Sequence, residues 1–274
     1  MKGTLMARRL RAIALFLLAL VAAPAASAHY VDLNQALHRA NTLTVGIALT
    51  GQPFAYKRDG ALRGFEIEVA RAVAEAHGLA LDLVRLPRSQ LAAALAAGDI
   101  DTANTLALDA EPAGVKIVPY LVVGDHLMVL RGNPFRIREA DDLSGRVTSV
   151  TSGSSAERFA HDLNREFEEA GRAPMHVHSF PDDRWTHFPV SMGHAQGYFT
   201  RTVSAVAVDA DPDSRNRLVE GVFHPVREVG FAIKADNDKL HHAVEHAVAA
   251  MVATGKYRRL REEHGLPVDL SPYR

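Results

Sequence analysis

The sequence predicts an α/β protein built from two sheet-and-helix units. Three observations lead to this class: apolar residues alternate over 43–49, recur at helical spacing over 65–76 up to Gly78, and alternate again over 79–83. A strand, a loop, a helix and a second strand in this order form the start of a parallel sheet. The same succession begins again at Val147, so we expect a second unit of the same kind.

The N-terminal segment has the pattern of a secretory signal. Four basic residues within 2–11 precede an apolar run over 12–23, and Ala26, Ser27 and Ala28 follow. A membrane anchor is the alternative, but a spanning helix needs about 20 apolar residues and this run is shorter. We therefore predict a signal peptide at 1–28, with His29 as the first residue after cleavage. The chain has no cysteine, so it offers neither a lipid-modified cysteine nor a disulfide.

Length and charge narrow the possible partners. The 274 residues carry a formal net charge of -1, and loss of the basic residues of the signal makes the remainder more acidic. This balance disfavours nucleic acid and anionic membranes as partners. The length suits one large domain or two domains of about 100–150 residues each, and the repeated pattern favours two. They follow an N-terminal extension at 29–41, for which one short helix is predicted.

The first unit continues with a second helix, with Ser89 as its predicted N-cap and Gly98 as its end. A strand is predicted over 100–106. The apolar segment 127–131 then leads into Gly132, Asn133 and Pro134. We interpret this segment as the first crossing between the two units.

The second unit has the same alternation. We predict strands over 147–150, 175–180 and 198–201, and helices over 156–167 and 202–208. Pro189 and Gly193 interrupt the segment 184–194, to which no element is assigned. Residues 219–233 should cross back to the first unit, and a last helix over 240–254 should complete it. The inward stripe of that helix is predicted to be Leu240, Val244, Val248 and Met251.

Several short motifs occur in a fixed order along the chain. They are Pro53-Phe54, GFEIEVA at 64–70, LAAGDID at 95–101, Pro119-Tyr120, DLSG at 142–145, SGSS at 152–155 and GKY at 255–257. Together they resemble the extracellular solute-binding proteins of family 3, the amino-acid type. The resemblance implies a type II periplasmic-binding-protein fold, with two lobes, two hinge crossings and a ligand cleft between the lobes. It implies lobe I at 42–128 plus 224–274, lobe II at 129–223, and a monomer that delivers its ligand to the permease of an ABC importer.

The first candidate binding element is the start of the helix near residue 155. Ser154 and Glu157 have capping-box spacing, and the free backbone amides of a helix start attract anions. An ordinary helix cap is the alternative. Because the family has its carboxylate-binding Gly-Thr-Thr motif at this place, the resemblance favours Ser154 and Ser155 as ligand-binding residues.

Two further candidate elements follow from the resemblance. In the loop after the first strand, Phe54 and Tyr56 lie where family members pack an aromatic ring against ligand, and a core aromatic is the alternative. Asn104 and Thr105 resemble the ligand-contacting end of a strand, although Ala107 replaces a usual hydroxyl.

The arginine that family members use for an α-carboxylate is missing from its usual place. In the family this arginine lies a few residues after the strand that ends near Asn104 and Thr105. Residues 108–114 of this chain contain no arginine. In the second unit, matching without gaps puts Arg201 where the family has its amine-binding aspartate. We therefore expect an anionic or polar ligand that is not an ordinary α-amino acid, bound by Arg201 with Arg88 as an additional donor. A surface ion pair of Arg201 with Asp209 or another acid is the alternative, and for Arg88 the alternative is an exposed loop arginine that contributes only to solubility.

Two histidine patterns are compatible with metal ligands but are interpreted as surface features. His242, Glu245 and His246 match a zinc-protease pattern, yet the inward stripe predicted for this helix leaves His242 and Glu245 toward solvent. His176 and His178 share one face of a strand without an evident third ligand. We predict no metal, no cofactor and no catalytic residue.

The sequence thus predicts a periplasmic, non-lipidated solute-binding protein that closes on a small polar or anionic solute by hinge motion. An enzyme on the same scaffold, similar to cyclohexadienyl dehydratases, is one alternative. A sensory or accessory binding module is another. Turnover of a bound compound favours the enzyme, whereas neighbouring permease and ATPase genes favour import.

Overall fold

The computed structural model describes residues 32–106, 108 and 113–273. The predicted signal peptide, Ala107 and most of the segment 108–114 lie outside the described residues. Within them, the strands are β1 (Thr42–Ile47), β2 (Tyr56–Arg58), β3 (Ala61–Arg63), β4 (Ala80–Arg85), β5 (Thr102–Asn104), β6 (Val115–Leu130), β7 (Val147–Thr151), β8 (His176–Phe180), β9 (Gly197–Arg201), β10 (Asn216–Leu218) and β11 (Phe223–Lys234).

The helices alternate with these strands. They are α1 (Phe65–Ala76), α2 (Arg88–Ala97), α3 (Ser155–Glu169), α4 (Asp183–Thr186), α5 (Phe188–Ser191), α6 (Thr202–Ala210), α7 (Asp238–Ala253) and α8 (Lys256–Glu263), with short 3-10 helices at Asn34–Ala36, Ala140–Leu143 and Val268–Leu270. In the part of the chain that the structure describes, no helix is long and apolar enough to cross a membrane.

The described residues form a nine-stranded sheet in the order β4-β1-β5-β11-β6-β9-β7-β8, with β10 beside β6. β1 is parallel to β4 and β5, and β7 is parallel to β8 and β9. β6 and β11 are antiparallel to each other and lie between these two parallel groups. The parallel pairing predicted for the opening strands is confirmed.

The long strand β6 passes from one hydrophobic core to another. Leu121 and Val123 pack in a first core with β1, α1, α7 and α8, whereas Leu127 and Val129 pack in a second core with α3 and β9. β11 returns in the opposite direction, since Phe223 packs against the second core and Val229 lies in the first. These two strands are therefore the crossings between the lobes.

Local predictions were confirmed or corrected for identifiable reasons. Gly98 ends α2 in the left-handed conformation at φ 82°, as expected for a glycine C-cap. Ser89 is not the N-cap, because α2 already begins at Arg88 after Pro87, whose fixed φ suits a helix start. The helix predicted before β1 is only the 3-10 turn Asn34–Ala36.

The segment 184–194, to which the sequence assigned no element, contains most of α4 and all of α5. Pro189 lies in the first turn of α5, where its missing N–H removes no intrahelical hydrogen bond. The inward stripe predicted for the last helix is confirmed: its four residues are all buried in α7.

Candidate ligand-binding site

A cavity of about 630 Å³ lies beside the middle of β6. Its wall is formed by the loop after β1, the start of α2, the segment after β5, the start of α3, the junction of β9 with α6, and β11. The lining residues are Leu49, Thr50, Arg88, Leu106, Leu108, Val123, Gly124, Asp125, Ser155, Arg201, Thr202, Val203, Ser204, Val226 and Arg227. Most of these segments follow the carboxyl ends of parallel strands, where open α/β sheets bind ligands.

Arg201, which the sequence predicts as a ligand-binding residue, lines this cavity. It is the last residue of β9 and is exposed. Within the described residues its guanidinium has neither a hydrogen bond nor an ion pair, and the Oδ1 of Asp209 accepts instead from the backbone N–H of Leu218 at 2.9 Å. The alternative of an Arg201–Asp209 ion pair is therefore wrong.

Asp125 faces Arg201 across the β6–β9 ladder, where the two residues are Cα partners. Asp125 is 2% exposed, and its Oδ2 accepts a hydrogen bond from the Ser155 hydroxyl at 2.6 Å. Burial raises the pKa of the Asp125 carboxyl, while the Ser155 bond and the charge of Arg201 lower it. The wall of the cavity thus holds a cationic side chain beside a buried, hydrogen-bonded acidic one.

Sequence reasoning missed Asp125. The available signal was an acidic residue inside an apolar strand, because residues 121–129 are otherwise almost entirely apolar. A buried carboxylate is rarely tolerated unless it is paired or hydrogen-bonded. Arg227 on β11 was also missed; its Nη2 donates to the carbonyl oxygen of Leu108 at 2.7 Å, which holds the segment after β5 against the cavity.

The two serines at the start of α3 have different roles. Ser154 is the N-cap of α3, its hydroxyl accepts from the N–H of Glu157 at 3.1 Å, and Glu157 accepts from the N–H of Gly153 at 2.7 Å. This is the helix-cap alternative, and Ser154 does not line the cavity. Ser155 does line the cavity, but its hydroxyl donates a hydrogen bond to Asp125.

The aromatic loop was predicted to contact ligand, and the structure corrects this for Phe54. Phe54 is 0% exposed and packs in the first core, which is the core alternative. Tyr56 begins β2, is partly buried and does not line the cavity.

Asn104 and Thr105 are buried and also do not line the cavity. The Thr105 hydroxyl donates to the carbonyl oxygen of Gly230 at 3.1 Å, which joins β5 to β11. Of the eight residues predicted to bind ligand, the structure brings Arg88, Ser155 and Arg201 to the cavity.

Glu66 forms a polar cluster directly behind the cavity wall. Its Oε1 accepts from Asn104 Nδ2 at 2.7 Å and from the Tyr120 hydroxyl at 2.9 Å, and its Oε2 accepts from the hydroxyl of Thr50 at 3.1 Å. Glu66 is 0% exposed, and burial raises its pKa to about 6 despite these three hydrogen bonds. Thr50 connects the cluster to the cavity because it also lines the wall.

The histidine patterns lie away from this cavity. In the described residues, ligand atoms of His241, His242 and Glu245 lie within 4.8 Å of one another on the surface of α7, and His246 does not belong to this group. His176 and His178 are exposed on β8. The surface interpretation therefore agrees with their positions.

Two lobes joined by two antiparallel crossing strands, with a charged cavity at the crossing, define the class of two-lobed solute-binding proteins. The chain belongs to the bacterial extracellular solute-binding proteins, family 3, whose family model matches residues 43–267. The resemblance found in the sequence is thereby confirmed.

Individual relatives agree with this assignment. The chain is 27% identical over 228 residues to the probable amino-acid-binding protein YxeM of Bacillus subtilis, covering 82% of this chain and 84% of the relative. It is 27% identical over 236 residues to the L-cystine-binding protein TcyJ of Escherichia coli, covering 84% of this chain and 85% of the relative.

Solved structures show the same fold. The L-cystine solute receptor of Neisseria gonorrhoeae, in its unliganded open conformation, is similar with a TM-score of 0.67 and 22% identity, covering 81% of this chain and 92% of the receptor. The predicted type II two-lobed fold is confirmed.

Proposed function

We propose that this protein is exported to the periplasm by the signal at 1–28, without a lipid anchor, and captures a small polar solute with an anionic group for an ABC importer. Membership of the solute-binding family supports capture for transport. The residues that line the cavity support a ligand with an anionic group.

The observation that carries the ligand class is the position of Arg201. Among the described residues its guanidinium lines the cavity without a hydrogen bond or an ion pair, and acts on Asp125 through its charge. A guanidinium offers five N–H donors in a planar fork that matches carboxylate, sulfonate or phosphate oxygens in pairs. An anionic group is therefore the partner that satisfies Arg201 when the cleft closes.

A polar amino acid is the second candidate ligand, and Asp125 favours it. A zwitterion needs an anion for its ammonium as well as a cation for its carboxylate, and Asp125 lies beside Arg201. In the sequence analysis, the absence of an anion at the site argued against an amino acid as the ligand. Asp125 removes that objection. Two relatives named for amino acids, among them the L-cystine-binding protein TcyJ, support this candidate.

A thermal-shift screen of purified protein against amino acids, dicarboxylates and sulfonates distinguishes the two candidates. Ligand at about 100 times its dissociation constant stabilises the fold by about 2.7 kcal/mol. We expect the shift to disappear in Arg201→Ala for either class, and in Asp125→Asn for a zwitterion only. Arg217→Ala is the matched control, because Arg217 is an exposed arginine of β10 outside the cavity.

One outcome of this screen would contradict the proposed role of Arg201. Submicromolar binding of a standard amino acid that is undiminished in Arg201→Ala would overturn the role of Arg201. The same samples test the enzyme alternative, because a dehydratase converts the compound that it binds. Chromatography of the incubated ligand then shows a product.

A further inference from the structure

The two carboxylate oxygens of Glu66 have different surroundings. Among the described residues, Oε1 accepts two hydrogen bonds, from Asn104 and Tyr120, whereas Oε2 accepts one, from Thr50. All three partners are neutral, and Asn104 is fixed because its Oδ1 also accepts from the N–H of Ala48 at 3.3 Å. A proton added to Glu66 therefore belongs on Oε2, where the fewest donors compete with it.

The position of this proton decides what Thr50 offers to the cavity. When Glu66 is ionised, the Thr50 hydroxyl donates its hydrogen to Oε2 and presents only lone pairs to the cavity. When Oε2 is protonated, it donates to Thr50 Oγ1, and the Thr50 hydrogen is free to point at a ligand. The two bonds to Oε1 persist in both states.

We propose that Glu66 is a positioning residue whose protonation converts Thr50 from a hydrogen-bond acceptor into a donor for the ligand, so that binding of an anion is coupled to uptake of a proton. The part of this inference that concerns an anionic ligand rests on the proposed function. Loss of the negative charge of Glu66 behind the wall acts in the same direction, because it removes a repulsion toward an anion.

The surroundings of Glu66 allow this titration near neutral pH. Its pKa is raised to about 6 by burial. From β6, Tyr120 is the titratable group in contact; burial and Glu66 raise its pKa well above 10, so it remains a donor.

The other titratable and charged groups of this region are not among the described hydrogen-bond partners of the Glu66 carboxyl. From α8, Tyr257 donates to the carbonyl oxygen of Tyr120. His264, which directly follows α8, packs on the ring of Phe65, and burial lowers its pKa. On α1 itself, Glu68 pairs with Arg71. The charged residues of the cavity wall are Arg88, Asp125, Arg201 and Arg227.

The coupling is testable in the ligand-free protein by infrared titration of the carboxyl band that disappears in Glu66→Gln. Thr50→Val removes one donor to the ionised carboxylate, so we expect it to move the midpoint of this titration upward. Glu68→Gln is the matched control and should leave both the band and its midpoint unchanged. An equal midpoint in wild type and Thr50→Val would overturn the inference.

The link to ligand is tested by isothermal titration with sulfate, which does not change its charge in this pH range. We expect its affinity to rise several-fold from about pH 8 to about pH 5 in the wild type, with proton uptake visible as a buffer-dependent enthalpy. Glu66→Gln, which places an N–H donor toward Thr50, should bind at all pH values as the wild type does at low pH.

The outcomes separate the two proposals. Sulfate that binds with the same pH dependence in wild type and Glu66→Gln would overturn the role of Glu66 while supporting an anionic ligand. If sulfate does not bind at any pH but the infrared midpoint moves in Thr50→Val, sulfate is contradicted as a ligand and the hydrogen-bond coupling of Glu66 to Thr50 is supported.

Discussion

At the scale of single residues, Glu66 makes the stability of the fold depend on pH. Its pKa is raised from an ordinary value of 4.5 to about 6. A folded-state pKa above the unfolded value contributes stability that is fully present below the unfolded pKa and is lost as the pH rises through the folded one. For this shift the loss is about 2 kcal/mol.

We therefore expect Glu66→Gln to be less sensitive to pH than the wild type. Denaturant unfolding at about pH 4.5 and about pH 7.5 measures the free energy of unfolding of each protein. Between these two pH values, the wild type should lose about 2 kcal/mol more of this free energy than Glu66→Gln. Glu68→Gln, two residues further along the same helix, should behave as the wild type. Identical pH dependence in all three proteins would show that Glu66 is not the responsible group.

Phe54 and Tyr56 provide a second residue-scale prediction. Phe54→Ala should destabilise the fold by about 3–5 kcal/mol, because a fully buried ring leaves a cavity in the first core. Tyr56→Ala, in the same loop and partly buried, should cost about 1 kcal/mol or less. Chemical denaturation measures both. A stable Phe54→Ala variant that has lost ligand binding would restore the original prediction of a ligand contact.

The site was predictable where a single residue type carried the signal. Arg201 was found because a cation stood where the resemblance implied an anion. Asp125 and Glu66 were not found, because their roles depend on the register of β6 against β9 and on the burial of the α1 start. The acidic residue inside an apolar run marked Asp125 as unusual, but the roles of both residues are not visible in the local pattern of the sequence.

At the scale of elements, the start of α3 depends on its cap. The hydroxyl of Ser154 accepts from the N–H of Glu157, which would otherwise lack an intrahelical partner. We expect Ser154→Ala to lower the free energy of unfolding by about 1 kcal/mol. Ser152→Ala, at an exposed position of the same turn, should change it by about 0.5 kcal/mol or less. Equal effects of the two changes would show that the cap contributes nothing.

Helix α7 tests whether its histidines have a metal role. His242 and His246 are exposed, so replacing both with alanine should change stability by about 0.5 kcal/mol or less and leave ligand binding unaltered. Leu240→Ala on the buried stripe of the same helix should cost about 2–5 kcal/mol. Stoichiometric zinc in the wild type, lost in the double variant, would contradict the surface interpretation.

Most elements were predictable because each lobe repeats strong periodic signals. Glycine stops and alternating apolar residues located α1, α2, α3, α7 and the parallel strands to within a few residues. The sequence did not reveal that β6 is one strand of sixteen residues serving both cores. A continuous apolar strand has no local mark at the place where its packing partners change.

At the scale of the whole molecule, the exported form should begin at His29. Ala26, Ser27 and Ala28 give the small residues of a cleavage site, and no cysteine is present for lipidation. Intact-mass measurement of periplasmic protein checks this start. A mass that retains the first 28 residues, or protein found only in membranes, would refute it.

The sequence positions of the residues that form the two cores determine which core can be completed first. The second core is drawn from one uninterrupted stretch, Leu127 to Phe223, whereas the first combines residues near Leu43 with residues up to Leu270. A chain that emerges N-terminus first therefore carries α1 for a long time without its partners in α7 and α8. The lobe that begins first in the chain is therefore the last to have all of its core residues available.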